Sequence, residues 1–344
     1  MSKIKVGING FGSIGKRVAH AVSLQSDMQL VGISNRSVNI NVRAMMGKKG
    51  PLYGTPLYCA DPANLKAMRG TGFDVSGSLE DLLGKVDVIV DGTPAGIETK
   101  NKPLYAKYKV KQIYEGGADK GMADASFTAI ANYDECVNKN SIRVVSCNTT
   151  SLVRTIYAMQ KSLDISDIFS VLVRRAADPP EDDKEGPINS VVPVSKVPSH
   201  HGPDVKTVLK KINITTMACK IPTTLNHVHF VTAKVDGDYK RDDAIEAFRK
   251  ASRVLLFDST QGYTTSSQIY EMFRDIKRPR SDMYEVCVWE DMVNIDKDKL
   301  YWSHVVHSEG IVIPENIDAI RAVMGADTKE NSIKKTNKSL GIDA

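Results

Sequence analysis

Cysteine is scarce and scattered, with five in 344 residues, at positions 59, 136, 147, 219 and 287. No two form a C-x-x-C pair, which excludes a zinc ribbon and a thioredoxin-type redox motif. An odd, widely spaced set fits free thiols in a reducing cytoplasm. No apolar run approaches the length needed to cross a membrane. The chain enters a strand-like pattern at once (Lys3-Ile4-Lys5-Val6-Gly7-Ile8), so no signal peptide is expected. There is no internal repeat and no low-complexity segment. A net charge of +5 is spread along the chain, and no basic arm stands out. The densest basic stretch, residues 329–338, is interrupted by Glu330 and reads as a solvated helix face. A cytoplasmic protein with neither membrane nor nucleic-acid partners is expected, and the mild positive bias suits phosphorylated ligands.

What is present is an ordinary globular composition, 42% apolar and 25% charged, in a chain long enough for two domains. The first strong signal is a strand over residues 4–9 that runs into Gly10-Phe11-Gly12-Ser13-Ile14-Gly15 and then into a helical pattern. This is G-x-G-x-x-G in the required strand–turn–helix context. Gly10 allows the tight turn, Gly12 lets the backbone approach a pyrophosphate, and Gly15 lets the helix lie close to the strand. The second strand, residues 29–34, ends in Asn35-Arg36-Ser37. No acid stands there for a ribose 2′-hydroxyl, whereas Arg36 with Ser34 and Ser37 suits a 2′-phosphate. NADP is therefore expected to be accepted, with NAD as alternative or companion.

Strand and helix patterns continue to alternate. Ser78 caps a short helix, residues 86–91 form a buried strand ending at Gly92-Thr93-Pro94, and residues 98–108 form a helix. A strand over 111–114 ends at Gly116-Gly117, and one over 142–145 leads into Ser146-Cys147-Asn148-Thr149-Thr150. Helical spacing follows, and Asn148, Thr149 and Thr150 are all capping residue types. Cys147 is thus expected where a strand hands over to a helix, whose free N–H groups and dipole favour a thiolate. The competing reading is a small buried hydrophobe. Because ligands bind at the carboxyl ends of strands in such sheets, the glycine loop and the cysteine are expected to face one cleft.

After the helix the pattern changes. A strand over 168–173 ends in Arg174-Arg175, a reasonable anion clamp. An irregular, proline-rich stretch over 178–203 contains Glu181-Asp182-Asp183 and closes on Ser199-His200-His201-Gly202-Pro203. The adjacent histidines are not read as a metal pair, since neighbours in a strand point to opposite faces. Strands over 214–221 and 228–235 flank a connection at 222–227, and further strands cover 254–257, 284–289 and 300–306. Helices are expected over 241–252, 266–276, 314–324 and 330–340. The fold class read from this is α/β: an N-terminal Rossmann-type dinucleotide-binding domain plus an α+β catalytic domain with a mainly antiparallel sheet. A nucleophilic cysteine needs a proton-transfer partner. His227 and His229 share a strand face, and spacing alone does not choose between them.

Several blocks carry a family resemblance. They are residues 8–17 around the glycine loop, Val144-Val145-Ser146-Cys147-Asn148-Thr149-Thr150, Val173-Arg174-Arg175-Ala176-Ala177-Asp178-Pro179, Pro198-Ser199-His200-His201-Gly202-Pro203-Asp204-Val205, Pro222-Thr223-Thr224-Leu225-Asn226-His227-Val228-His229 and Ile313-Pro314-Glu315-Asn316-Ile317-Asp318. In that order, over essentially the whole chain, the sequence resembles the archaeal (type II) phosphorylating glyceraldehyde-3-phosphate dehydrogenases. The resemblance implies a homotetrameric cytoplasmic enzyme of glycolysis and gluconeogenesis using NADP, NAD or both. It implies Cys147 as nucleophile and His227 as acid/base partner, with His229 the second choice. Substrate contacts would fall on Ser146, Asn148, Thr149, His200 and His201. Cofactor contacts would fall on Ser13, Ile14, Gly117 and one of Arg174 or Arg175, beside Gly10, Gly12, Gly15, Asn35 and Arg36. The C-terminal helices, residues 312–344, would complete a dinucleotide-binding domain of residues 1–146, leaving 147–311 as the catalytic domain. The stretch 178–203 would lie near the cofactor and a subunit contact. Three departures stand out: Glu115-Gly116-Gly117-Ala118 where relatives often read Gln-Gly-Gly-Glu, Ser308 where they often have Gln, and Asn35-Arg36 in place of a lysine-containing version.

The implied chemistry is attack of the Cys147 thiolate on the aldehyde of glyceraldehyde 3-phosphate. His227 takes the hemithioacetal proton as hydride leaves, and inorganic phosphate then cleaves the thioester to give 1,3-bisphosphoglycerate. Two alternatives are an enzyme similar to aspartate-semialdehyde dehydrogenase and a non-enzymatic NADP-binding redox sensor.

Overall fold

Short β-branched runs such as Val88-Ile89-Val90, buried along their whole length, make the strands of a parallel sheet in this computed structural model. Residues 2–115, 117–176 and 189–342 are described. Gly116, Ala177-Asp178-Pro179, the Glu181-Asp182-Asp183 run and the rest of the stretch up to 188 lie outside the described residues. The chain divides into two units, one of residues 1–145 with 313–342 and the other of residues 146–312.

The first unit holds β1 (Ile4–Asn9), β2 (Met28–Asn35), β3 (Leu57–Cys59), β4 (Val75–Ser78), β5 (Val88–Asp91), β6 (Lys111–Tyr114), β7 (Ala125–Phe127) and β8 (Ser141–Val144). They pair in the order β4-β3-β2-β1-β5-β6-β8-β7, every pair parallel. The order reverses between β1 and β5, which makes the carboxyl end of β1 the topological switch point where open α/β sheets bind ligands. The short strands β3, β4 and β7 escape the sequence reading, because three or four residues carry too little periodicity. The helix expected over 98–108 spans Ile97–Lys107.

Two C-terminal helices, Ile313–Val323 and Lys329–Leu340, belong to this unit. Glu315 Oε2 accepts the Ala129 N–H at 2.6 Å, and the buried Arg321 guanidinium holds both oxygens of Asp27 at 2.9 Å. Pairing with Arg321 keeps the Asp27 carboxyl below its usual range. Asn316 donates to Glu115, one of the positions read above as a departure from the family pattern.

The second unit carries β9 (Ile165–Arg175), β10 (Val192–Pro193), β11 (Ile214–Ile221), β12 (Asn226–Val235), β13 (Val254–Phe257), β14 (Val286–Trp289), β15 (Asn294–Asp296) and β16 (Lys299–His307). The sheet runs β10-β11-β9-β12-β16-β14-β13, with β15 paired to β16. It is mixed: β11–β9 and β13–β14 are parallel and the other five pairings antiparallel. Asn226 and His227, expected in a connection, begin β12. One face of β12 and β16 is buried, and it includes His227, His229, Trp302 and His304. On the other face Phe169, Met217, Phe230 and Tyr301 are 37–45% exposed.

Candidate active site

In the first unit β1 ends at the glycine loop. Gly10 has φ +91°, and a Cβ there would lie 2.7 Å from the backbone of Gly92 and Thr93. A Cβ on Gly15 would lie 1.9 Å from the Gly10 carbonyl oxygen, so both positions are closed to any side chain. Gly12 is the N-cap of helix Ser13–Ser23, no side chain caps that end, and nothing lies within 4 Å of where its Cβ would be. Ser13 and Ile14 open the helix and are half-buried. An uncapped helix N-terminus with an open approach over glycine is what a pyrophosphate requires. Asn35 Oδ1 accepts the Phe11 N–H at 3.1 Å and so braces the loop from β2.

Beside the loop is a pocket of ≈ 440 Å³, lined among others by Asn9, Asn35, Arg36, Asp61 and Asn101. Arg36 is exposed there. Asn9 is 1% exposed, and its Oδ1 is buried with no hydrogen-bond partner. Its Nδ2 donates to Tyr105, whose hydroxyl donates to Asp91 at 2.7 Å. A buried acceptor left open at a pocket wall suits a nucleotide donor. The glycine loop and this pocket together fit a dinucleotide. Gly117 is exposed just past the end of β6. Asp61 was missed in the sequence: it follows β3, a strand too short to recognise, and only the fold brings it to Arg36.

In the second unit helix Cys147–Gln160 begins at the cysteine itself. The cap is Ser146, whose Oγ accepts the Thr149 N–H at 3.4 Å, rather than Asn148, Thr149 or Thr150. Those three lie inside the helix and are buried. Cys147 Sγ stands 3.4 Å from His227 Nε2. The Arg175 main-chain N–H donates to His227 Nδ1 at 3.0 Å, so Nδ1 is the acceptor and the neutral ring carries its proton on Nε2, facing sulfur. Burial, reinforced by the Arg175 and Arg174 charges, holds His227 well below the usual histidine range.

Arg174 and Arg175 do not form one fork, because successive strand residues point to opposite faces. Arg175 Nε donates to Ser308 at 2.8 Å, which gives the departing serine a role as its anchor. Burial lowers the Arg174 pKa, while the nearby Cys147 charge acts to raise it. Its Nε is buried with no hydrogen-bond partner.

His200 and His201 stand at the start of the short helix His201–Val205, not in a strand, and their rings lie 3.8 Å apart. His201 Nδ1 contacts Ser199 Oγ at 3.0 Å, while its Nε2 is buried without a partner. Burial, aided by His200 and Arg174, depresses His201 to about 2, and burial with the Arg174 charge also lowers His200. Thr149 Oγ1 donates to Asp204 at 2.7 Å, so Asp204 braces the first turn of the cysteine helix. The unpaired Arg174 Nε–H near the cysteine suits an anion, and the open Nε2 of neutral His201 is an acceptor for a hydroxyl.

His229 bonds to the residue after the cysteine. Its Nε2 meets Asn148 Oδ1 at 2.9 Å and its Nδ1 meets His304 Nε2 at 3.0 Å. The sequence gives His304 no role beyond being one of seven histidines, because its place opposite His229 depends on the β12–β16 register.

Comparison with known proteins supplies the family. Residues 146–292 match the model of the glyceraldehyde 3-phosphate dehydrogenase C-terminal domain. With the dinucleotide-type sheet and the cysteine–histidine pair, this defines the class as an NAD(P)-dependent oxidoreductase acting on an aldehyde. The chain is 48% identical over 340 residues to the glyceraldehyde-3-phosphate dehydrogenase of Pyrococcus abyssi and 47% identical over 340 residues to that of Thermococcus kodakarensis, covering 99% of each chain. It is 46% identical over 344 residues to glyceraldehyde-3-phosphate dehydrogenase 1 of Methanosarcina barkeri, again with 99% of each chain covered. The chain belongs to the glyceraldehyde-3-phosphate dehydrogenase family.

Proposed function

We propose that this protein is a phosphorylating glyceraldehyde-3-phosphate dehydrogenase serving glycolysis and gluconeogenesis. It oxidises glyceraldehyde 3-phosphate with NAD(P) and inorganic phosphate to 1,3-bisphosphoglycerate. The observation that carries the reading is the Cys147–His227 contact at a helix N-terminus, 3.4 Å long, beside the unpaired Arg174 Nε–H.

Cys147 is the nucleophile. The helix N-terminus and the Arg174 charge favour its anion, and His227 Nε2–H donates to it. Attack forms the C–S bond and places the charge on the former carbonyl oxygen, giving the hemithioacetal oxyanion. His227 is the acid partner: Nε2–H turns from sulfur to that oxygen and stabilises it as the charge builds. The proton stays with the imidazole through hydride loss, because a neutral ring that gave it up would be left an imidazolate; with Nδ1 held by the Arg175 N–H, the ring takes no proton from the hemithioacetal, which replaces the proton uptake expected from the sequence. When bound, the nicotinamide supplies the acceptor for the hydride lost from the hemithioacetal, and the species left on Cys147 is a thioester. Phosphate oxygen then attacks the thioester carbonyl, the C–S bond breaks and the Cys147 thiolate is regenerated as acyl phosphate leaves. Ser146, Asn148, Thr149, His200 and His201 contact the substrate, and Arg174 balances its anionic groups.

The first unit acts as the dinucleotide-binding domain, through Gly10, Gly12, Ser13, Ile14, Gly15, Asn35, Arg36 and Gly117, and the second as the catalytic domain. A homotetramer is supported by the apolar side chains exposed on the second sheet, Phe169, Met217, Phe230 and Tyr301. No described helix is long and apolar enough to cross a membrane. None of the five cysteines is in a disulfide, which suits a reducing cytoplasm.

The test is NADP and NAD reduction with glyceraldehyde 3-phosphate, with and without inorganic phosphate. Phosphate-dependent turnover, lost in Cys147→Ala with cofactor binding retained, is expected. Turnover independent of phosphate, or surviving in Cys147→Ala, overturns the reading. Sedimentation of the purified chain at monomer mass overturns the tetramer.

A further inference from the structure

We propose that His304 and His229 are positioning residues that fix the side-chain amide of Asn148 so that its N–H group, not its oxygen, faces the Cys147 sulfur. This rests on the reading of Cys147 as the nucleophile. The four side chains form one chain of hydrogen bonds through the buried face of the second sheet. His304 Nε2 meets His229 Nδ1 at 3.0 Å, His229 Nε2 meets Asn148 Oδ1 at 2.9 Å, and Asn148 Nδ2 lies 3.8 Å from Cys147 Sγ. His229 and His304 are 0% exposed and Asn148 is 3% exposed, so water does not compete for these bonds.

The direction of the chain is set at its far end. His304 Nδ1 is buried and has no hydrogen-bond partner. A buried N–H without an acceptor is rarer and costlier than a lone pair without a donor. The His304 proton therefore sits on Nε2 and is given to His229 Nδ1. Ser151 Oγ, 3.2 Å from the same Nδ1, has its own hydrogen committed to the Asn148 carbonyl at 2.9 Å and does not displace it. With Nδ1 an acceptor, neutral His229 carries its proton on Nε2 and gives it to Asn148 Oδ1. Only Nδ2 then remains to face sulfur. Flipping the amide would require both imidazoles to change tautomer and would leave an N–H of His304 stranded. Burial keeps both rings neutral, with His304 depressed to about 3 and His229 well below the usual range, so the chain holds one direction through neutral pH.

The consequence is a second donor at the thiolate beside His227 Nε2–H. It is available to the sulfur at rest and to the oxyanion once the aldehyde is attacked. The second histidine of the His227–His229 pair thus acts on the cysteine through an intermediary and not as an alternative base. Other charged or titratable groups around this thiol include His227 on β12, Arg174 and Arg175 on β9, His307 on β16, and His200, His201 and Asp204 at the short helix, and none is altered in the variants below.

The experiment is the pH dependence of alkylation by iodoacetamide, followed by mass on the Cys147 peptide of the full chain, together with steady-state kinetics. Alkylation needs no aldehyde turnover, so it is independent of the proposed substrate. In His304→Phe the alkylation midpoint is expected to rise by about one pH unit, the weight of one charge-assisted hydrogen bond. Turnover is expected to fall about tenfold with KM little moved. His304→Gln, whose amide again donates to His229 Nδ1, is expected to restore both. Asn148→Ala is expected to show the same midpoint rise, with His304→Phe adding nothing on that background. Should His304→Phe not fold, His229→Leu against His229→Gln reads the same link one step nearer the cysteine. An unmoved midpoint in these variants, or a His304→Phe shift that persists undiminished in Asn148→Ala, overturns the proposal.

Discussion

The Arg175 main-chain N–H donates to His227 Nδ1, and this 3.0 Å bond decides where the imidazole keeps its proton. With Nδ1 occupied, the ring presents Nε2–H to Cys147 at 3.4 Å and is matched to a thiolate rather than a thiol. A strand backbone thus sets the proton inventory of the site, with no carboxylate in the role of orienting group.

Replacing that histidine should be costly. His227→Asn is expected to lower turnover by ~10²–10⁴, the usual weight of a positioned acid/base group. His229→Gln, which keeps both the donor to Asn148 and the acceptor for His304, is expected to lose much less. Steady-state kinetics of the two variants side by side check the assignment, and a larger loss in His229→Gln would reverse it.

Stability should fall on mild acidification. His201, His227, His229 and His304 all have folded-state pKa values depressed below 6.5, chiefly by burial. Below pH 6.5 the unfolded chain takes up protons that the folded chain refuses, so the stability present above that pH is lost as pH falls. Each such histidine contributes up to about 1.4 kcal/mol per pH unit in that window. A thermal midpoint flat above pH 7 and dropping steeply between pH 6.5 and 5 is expected. Equal midpoints at pH 7.5 and 5.5 would contradict it.

Cofactor choice should turn on Arg36 and Asp61, which line the same pocket. Arg36→Ala is expected to weaken NADP binding about tenfold, the loss of one exposed charge-assisted contact, and to leave NAD nearly unaffected. Asp61→Asn, which removes a negative charge from the pocket, is expected to shift preference toward NADP. Titration of each variant with both nucleotides reads the ratio directly, and equal losses for NAD and NADP in Arg36→Ala would remove the 2′-phosphate role.

The glycine loop should tolerate no methyl group. Gly15→Ala puts a Cβ 1.9 Å from the Gly10 carbonyl, and Gly10→Ala adds a backbone clash at φ +91°. Both are expected to abolish nucleotide binding while Cys147 stays reactive to iodoacetamide, since the thiol and its partners lie in the other unit. Wild-type nucleotide affinity in Gly15→Ala would mean that the helix can shift, and that the close approach is dispensable.

The sequence by itself determined whatever is local. Gly10, Gly12 and Gly15 between a strand and a helix could be read because a tight turn demands glycine at fixed offsets. Cys147 at a strand–helix junction could be read because apolar periodicity changes there from two to 3.6. The pairing of His227 and His229 on one face followed from the strand period alone. The tertiary structure decided everything that depends on register or on contacts between distant segments. It set His227 against the Cys147 sulfur and the Arg175 N–H, and His229 against the Asn148 amide. It separated Arg174 from Arg175, brought His304 across from β16, and put Asp61 in the wall of the pocket that Arg36 lines. It also moved the cap from the Asn148–Thr150 run to Ser146, because the helix starts one residue after the serine. Spacing in a sequence fixes which side of a strand or helix a residue occupies, but which partner waits there is set by chain packing that the spacing does not encode.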